Sequence, residues 1–106
     1  MKNKSNKLNY DLKISVQIGR FDLVKYNVEQ GADIRFNKYE PVLLAEERKH
    51  WDIFEYLISF LYEFELKEFF SFFDVYYDMD SIGKSELLHL KFLILKKLNE
   101  KKISKK

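Results

Sequence analysis

Hydrophobic residues return at intervals of three and four along most of the chain, the spacing that lines up one face of an α-helix. Phe21, Val24 and Val28 form one such set, and Trp51, Phe54, Leu57, Ile58 and Leu61 form a second. A third runs from about Lys84 to Lys101, where Leu87, Leu90, Ile94, Leu95 and Leu98 share a broad face. Between the second and third sets, Leu66, Phe69, Phe70, Phe73, Tyr76 and Tyr77 also fit helical spacing. The run FFSFFDVYY taken alone suits a buried strand equally, which leaves helix or strand open for residues 65–77. Its helical neighbours favour helix. The expected fold class is all-α.

The sequence also echoes itself at an offset of thirty residues, and fixed-period similarity is the mark of a repeat architecture. Gly19-Arg20-Phe21-Asp22-Leu23-Val24-Lys25-Tyr26 lies over Lys49-His50-Trp51-Asp52-Ile53-Phe54-Glu55-Tyr56, and Leu12, Ile14 and Ser15 lie over Val42, Leu44 and Ala45. Each unit reads as a short helix, a tight turn and a second helix. Gly31 supplies a helix C-cap, since the left-handed conformation that ends many helices carries no Cβ penalty at glycine. Pro41 suits the first turn of a helix, where its missing N–H costs nothing.

In these residues the chain resembles the ankyrin repeat: Asp22-Leu23-Val24-Lys25 is similar to the EVVK of the repeat's second helix, and Gly31-Ala32-Asp33-Ile34 to the GADV that follows. The resemblance covers about residues 10–60 and implies antiparallel helical hairpins that stack. It departs from the family at the TPLH position, occupied by Tyr10-Asp11-Leu12-Lys13 and by Glu40-Pro41-Val42-Leu43. It departs again at Asn27, which takes a slot usually filled by leucine and needs a hydrogen-bond partner, or the fold loses about 1 to 3 kcal/mol. Two units rarely close a repeat core, so the remaining helices are expected to cap it. The expected layout of 1–106 is one domain: a disordered basic start over 1–8, two ankyrin-like hairpins over 9–60, a C-terminal helical cap over 61–101 and a basic tail over 102–106.

Composition changes this picture mainly through charge. The net charge of +2 over 106 residues conceals a segregation. Residues 1–7 carry three lysines and no acid, and 96–106 carry six lysines against Glu100, whereas Trp51 to Asp80 holds eight acids against Lys67 together with 12 of the 18 aromatic residues. There is no cysteine, which excludes disulfides and thiolate metal sites. The first residues lack the apolar stretch of a signal peptide, and the longest uncharged apolar run, Tyr56 to Tyr62, is far short of the ~20 residues that cross a bilayer. A cytoplasmic protein is expected.

Little in the chain supports catalysis. Asp78 to His89 follows the calcium-loop pattern at Asp78, Asp80 and Gly83, but Ile82 and His89 stand where two oxygen ligands belong. Gly83-Lys84-Ser85 imitates the end of a phosphate loop whose first glycine is replaced by Asp78. His50 and His89 are too few for a metal site, and His50 falls in the slot of the ankyrin turn histidine. Glu46 and Glu47 are adjacent on a helix and so point apart. No nucleophile, metalloprotease or dinucleotide pattern occurs. No catalytic residue, metal or cofactor is expected.

Protein binding is the expected function. The acids and tyrosines Glu63, Glu65, Glu68, Asp74, Tyr76, Tyr77, Asp78 and Asp80 suit a surface that meets a basic cleft, because aromatic anchors and opposite charge together favour association. In this the chain resembles a bacterial immunity protein that neutralises a nuclease toxin, which implies a protein partner and inhibition by blockade. An alternative is a general ankyrin-like adaptor that binds through Arg35, Phe36, Asn37, Lys38, Tyr39 and Glu40. A third, nucleic-acid binding through the lysine-rich ends, lacks arginine forks and any known reading motif.

Overall fold

The first three helices of this chain end where one residue leaves the right-handed region and reverses the backbone. The computed structural model describes residues 2–78 and 84–104, with side chains for 6–75 and 85–102. The described residues form six helices: α1 (Lys2–Ile18), α2 (Phe21–Glu29), α3 (Phe36–Glu47), α4 (Trp51–Ile58), α5 (Glu63–Asp78) and α6 (Lys84–Ser104). No strand occurs among them, so the all-helical expectation holds and residues 65–77 are helix. Two expected boundaries move. The basic start is helical from Lys2, and α6 runs past Glu100 to Ser104. Once Leu12 and Val16 are packed, extending α1 backwards adds hydrogen bonds without a new nucleus, and the Lys7–Asp11 pair at 3.0 Å supports the added turns. In α6, Lys101 and Lys102 sit at the carbonyl end of the helix dipole.

The contacts gather into two compact units, Met1–Leu57 and Ile58–Lys106. In the first, α1 packs on both α2 and α3, and the core holds Leu12, Val16, Val24, Val42, Ala45, Ile53, Phe54 and Leu57. The thirty-residue echo is present in its backbone. After α1, Gly19 N–H reaches Val16 C=O at 3.1 Å and Arg20 N–H reaches Ser15 C=O at 3.0 Å. After α3, Lys49 N–H reaches Glu46 C=O at 3.0 Å and His50 N–H reaches Ala45 C=O at 2.9 Å. Both are Schellman turns, with φ +74° at Gly19 and +60° at Lys49. Gly31 ends α2 in the same way at φ +109°, as its C-cap role required.

The second turn rests on the first. A Cβ on Gly19 would lie 2.8 Å from Cε1 of His50, so the imidazole fills the space that the missing side chain leaves. His50 is thus a packing residue of the turn. Lys13 pairs with Glu40 at 3.3 Å to join α1 to α3, and the Phe21 and Tyr56 rings meet edge to face at 5.4 Å to join α2 to α4. Asn27 has the partner it needs: its Nδ2 donates to Ser15 Oγ at 3.0 Å, and Ser15 Oγ donates to Asp11 C=O at 2.7 Å. Thirty residues on, the same two positions hold Ala45 and Leu57.

In the second unit α5 packs on α6 through Leu66, Phe69, Phe73, Leu90, Leu93, Ile94 and Leu98. Leu95, expected inside, is exposed, and Leu93 takes its place. Apolar residues surround α6, so spacing alone does not select the inner face. Asp74 pairs with Lys91, whose ammonium also lies 5.3 Å from the centre of the Phe70 ring.

Two substitutions test this frame by urea unfolding. Ser15→Ala leaves the buried Asn27 amide without its acceptor and is expected to cost about 1 to 3 kcal/mol, whereas Ser15→Ala with Asn27→Leu copies the second hairpin and recovers most of the loss. Gly19→Ala is expected to cost more than the ~1 kcal/mol of a positive φ, because of His50. His50→Ala in the same chain restores the excess.

Candidate protein-binding surfaces

Helix α5 carries apolar residues on two faces. Leu66, Phe69 and Phe73 are buried, while Phe64, Glu68, Phe72 and Val75, also at helical spacing, form an outward stripe. Phe64 is 62% exposed and Val75 67%, values that large side chains seldom reach in a core-facing helix. At the start of the stripe the Tyr62 ring stacks on Phe64 with centroids 6.0 Å apart and planes 13° apart. Phe72 rests edge-on against Phe73 at 5.3 Å, which ties the outer stripe to the buried one.

The acids expected to form one surface divide into different roles. Glu65 is 3% exposed and its Oε1 accepts the Tyr62 N–H at 2.8 Å, so it turns inward and caps the first turn of α5. Glu63 is half-buried and pairs with Lys67 one turn on at 3.4 Å, and Asp74 pairs with Lys91. Glu68 is exposed on the outward stripe. Tyr76, Tyr77 and Asp78 belong to the last turn of α5, and their side chains lie outside the described residues, as does Asp80 entirely. The calcium-like and phosphate-like matches at Asp78 to His89 fall largely there too. The apolar neighbours of Glu68 on the stripe are Phe64, Phe72 and Val75. Sequence reasoning missed them because both faces of α5 repeat at helical spacing.

The loop between the hairpins is held at its start by α1. Asp33 N–H donates to Asn9 Oδ1 at 2.7 Å, and Asp33 Oδ1 accepts the Arg35 N–H at 2.9 Å. Asn37, Lys38 and Tyr39 then take left-handed conformations in succession, with φ of 52°, 57° and 66°. Left-handed L-residues cost roughly 1 to 2 kcal/mol each, so such a run needs outside support. Part of it comes from Asn37 Nδ2, which donates to Glu40 Oε1 at 2.8 Å, and from Lys13 on the other Glu40 oxygen. The right-handed part of α3 begins after Tyr39, with buried Pro41 in its first turn as expected. Arg35 and Phe36 are half-buried, Tyr39 and Glu40 likewise, and Asn37 and Lys38 are exposed at the bend.

Elsewhere, Glu46 is buried and Glu47 exposed, so this carboxylate pair does not converge. His89 is exposed on α6. Two terminal lysines are engaged within the chain: Lys97 with Glu100 at 3.4 Å, and Lys101 with the Ser59 carbonyl at 3.3 Å. No three His, Asp or Glu among the described residues stand close enough to hold a metal ion, and none of the described helices is long and apolar enough to cross a membrane. No known protein family, curated protein or solved structure matches the chain.

Glu40 makes the α1–α3 joint sensitive to acid. The Asn37 amide, helped by Lys13, holds its carboxyl below the ordinary glutamate range, against the opposing effect of partial burial. The folded value is the lower one, so the stabilisation is complete above the unfolded-state pKa, about 4.3, and is lost as pH falls through the folded pKa. Glu40→Gln should therefore be less stable than the parent at neutral pH, and the gap should close below about pH 4 in unfolding measured across a pH series.

Proposed function

We propose that the protein works without catalysis, by binding another protein through the outward stripe of α5. In its most specific form it is an inhibitor that neutralises a bacterial nuclease toxin in the cytoplasm by covering the toxin's basic active-site cleft. One observation carries this reading: Phe64, Phe72 and Val75 are exposed on the helix whose stripe also presents Glu68, and Tyr62 is exposed just before it. Large aromatic side chains contribute most to binding when a partner excludes water from them, and a carboxylate among them favours a basic partner over an acidic one. The two hairpins are taken as a degenerate ankyrin-like stack and α5–α6 as its C-terminal cap. The repetition of the Schellman turn at thirty residues supports the stack.

A second reading, an ankyrin-like adaptor binding through Arg35 to Glu40, draws on the left-handed run that presents Asn37 and Lys38 at the bend. Affinity capture with the full chain from its source cells, followed by a nuclease assay on what is captured, separates the two. The inhibitor reading expects a basic partner silenced at equal stoichiometry, with Phe64→Ala and Glu68→Lys together weakening binding by about 30-fold or more. Absence of a basic partner, or a nuclease still active in the complex, removes it. Loss of binding in Arg35→Glu with Lys38→Glu, and not in the α5 variant, favours the adaptor.

A further inference from the structure

The described residues leave one side of α6 uncovered. Leu88, Phe92 and Leu95 are 68%, 63% and 51% exposed, while Leu90, Ile94 and Leu98 fill the buried side. The alternating spacing of four and three carries the same line on to Asn99 and Lys102, and Lys96 stands one turn beyond Phe92. Both of these lysines are exposed. The outer side of the helix is therefore apolar from Leu88 to Leu95, a length of about 10 Å, and basic beyond it. No acid stands on the line: Glu86 is half-buried, and Glu100 is engaged by Lys97 at 3.4 Å. Residues 84–106 as a whole hold eight lysines against two acids, a net of +6, and no arginine.

That combination selects the partner. Three exposed apolar side chains fall short of the area of a specific protein interface, and such interfaces favour arginine and are depleted in lysine. A nucleic-acid backbone meets the lysines but gives Leu88, Phe92 and Leu95 nothing apolar to enter. A lipid surface of negative charge answers both needs, since its phosphates lie directly above hydrocarbon, and adsorption there adds apolar area to charge without demanding a complementary shape. We propose that α6 rests by this stripe on a membrane surface rich in anionic lipid, with Leu88, Phe92 and Leu95 at the boundary of headgroups and acyl chains and the lysines on the phosphates. Lysine suits the second role, because its ammonium is a point charge on a long flexible stem that lies along apolar surface while the head reaches outward. Lys105 and Lys106 add to the same charge. The helix lies on the surface and does not cross it, so the attachment is reversible. The stripe shares no residue with that of α5 and does not depend on the inhibitor reading.

Flotation of the full chain with vesicles tests this, using phosphatidylcholine alone and phosphatidylcholine with about one third phosphatidylglycerol. The chain is expected to float with the anionic vesicles and not with the neutral ones, and to be released as salt rises from about 0.05 to about 0.5 M. Phe92→Asp lowers the bound fraction by about tenfold or more, and Lys96→Glu with Lys102→Glu does the same. Helical circular dichroism is unchanged in both, since all three side chains are exposed. Tyr26→Asp, on the exposed side of α2, floats like the parent. A parent that stays in solution with anionic vesicles overturns the proposal, as does one that floats equally with neutral ones. So does a Phe92→Asp chain that floats as well as the parent, which would leave the lysines as a site for any polyanion, and so does an equal loss in Tyr26→Asp.

Discussion

A helix that ends on a left-handed residue sends the chain back beside itself, and the first unit depends on that constraint. The turns at Gly19 and Lys49 share one hydrogen-bond pattern at an offset of thirty residues, and the His50 side chain of the second fills the gap over the first. Around the turns, α1 packs on both α2 and α3. Lys13 then reaches Glu40 and Phe21 reaches Tyr56. The ion pair and the ring contact follow from where the turns lie, and neither, in partly exposed surroundings, contributes enough to fix the arrangement alone.

Much of this frame was legible from residue type. Gly31 announced a left-handed cap, Pro41 a first turn, and Asn27 a buried amide in need of an acceptor, and each has a single physical demand that its neighbours meet. Lys49 gave no such sign, since its positive φ is imposed by the turn and not by the residue. The left-handed run Asn37 to Tyr39 was equally hidden: asparagine tolerates that conformation, but lysine and tyrosine have no preference for it. Exposure along α5 was less legible than the frame. Glu65 looks like a surface acid and serves as a helix cap, while Phe64 and Phe72 look like core and lie outside. Local sequence records charge and hydrophobicity, but which face of a doubly apolar helix is covered depends on distant packing.

That ambiguity runs through the molecule. Both α5 and α6 hold a buried stripe and an exposed apolar one, Phe64, Phe72 and Val75 on the first and Leu88, Phe92 and Leu95 on the second, and exposed Tyr10, Ile18, Leu23 and Tyr26 of α1 and α2 repeat the theme. Exposed apolar surfaces of this kind favour clumping unless they serve recognition or are shielded in use. The paired charges around them, Lys7 with Asp11, Arg20 with Asp22, Lys67 with Glu63 and Lys91 with Asp74, set neutral couples beside each patch. In the proposed binding, steering at long range would fall to side chains such as Glu68, and affinity to the rings.

The hydroxyl–amide pair Ser15 and Asn27 has a further consequence. Thirty residues on stand Ala45 and Leu57, so the two helix–turn–helix segments, which share a turn, are not interchangeable inside. A mispaired arrangement that set α2 against α3 would strand the Asn27 amide beside Ala45, at a penalty comparable to a sizeable part of a small domain's stability. One buried polar couple thus acts as an address label, directing α2 to α1 during folding.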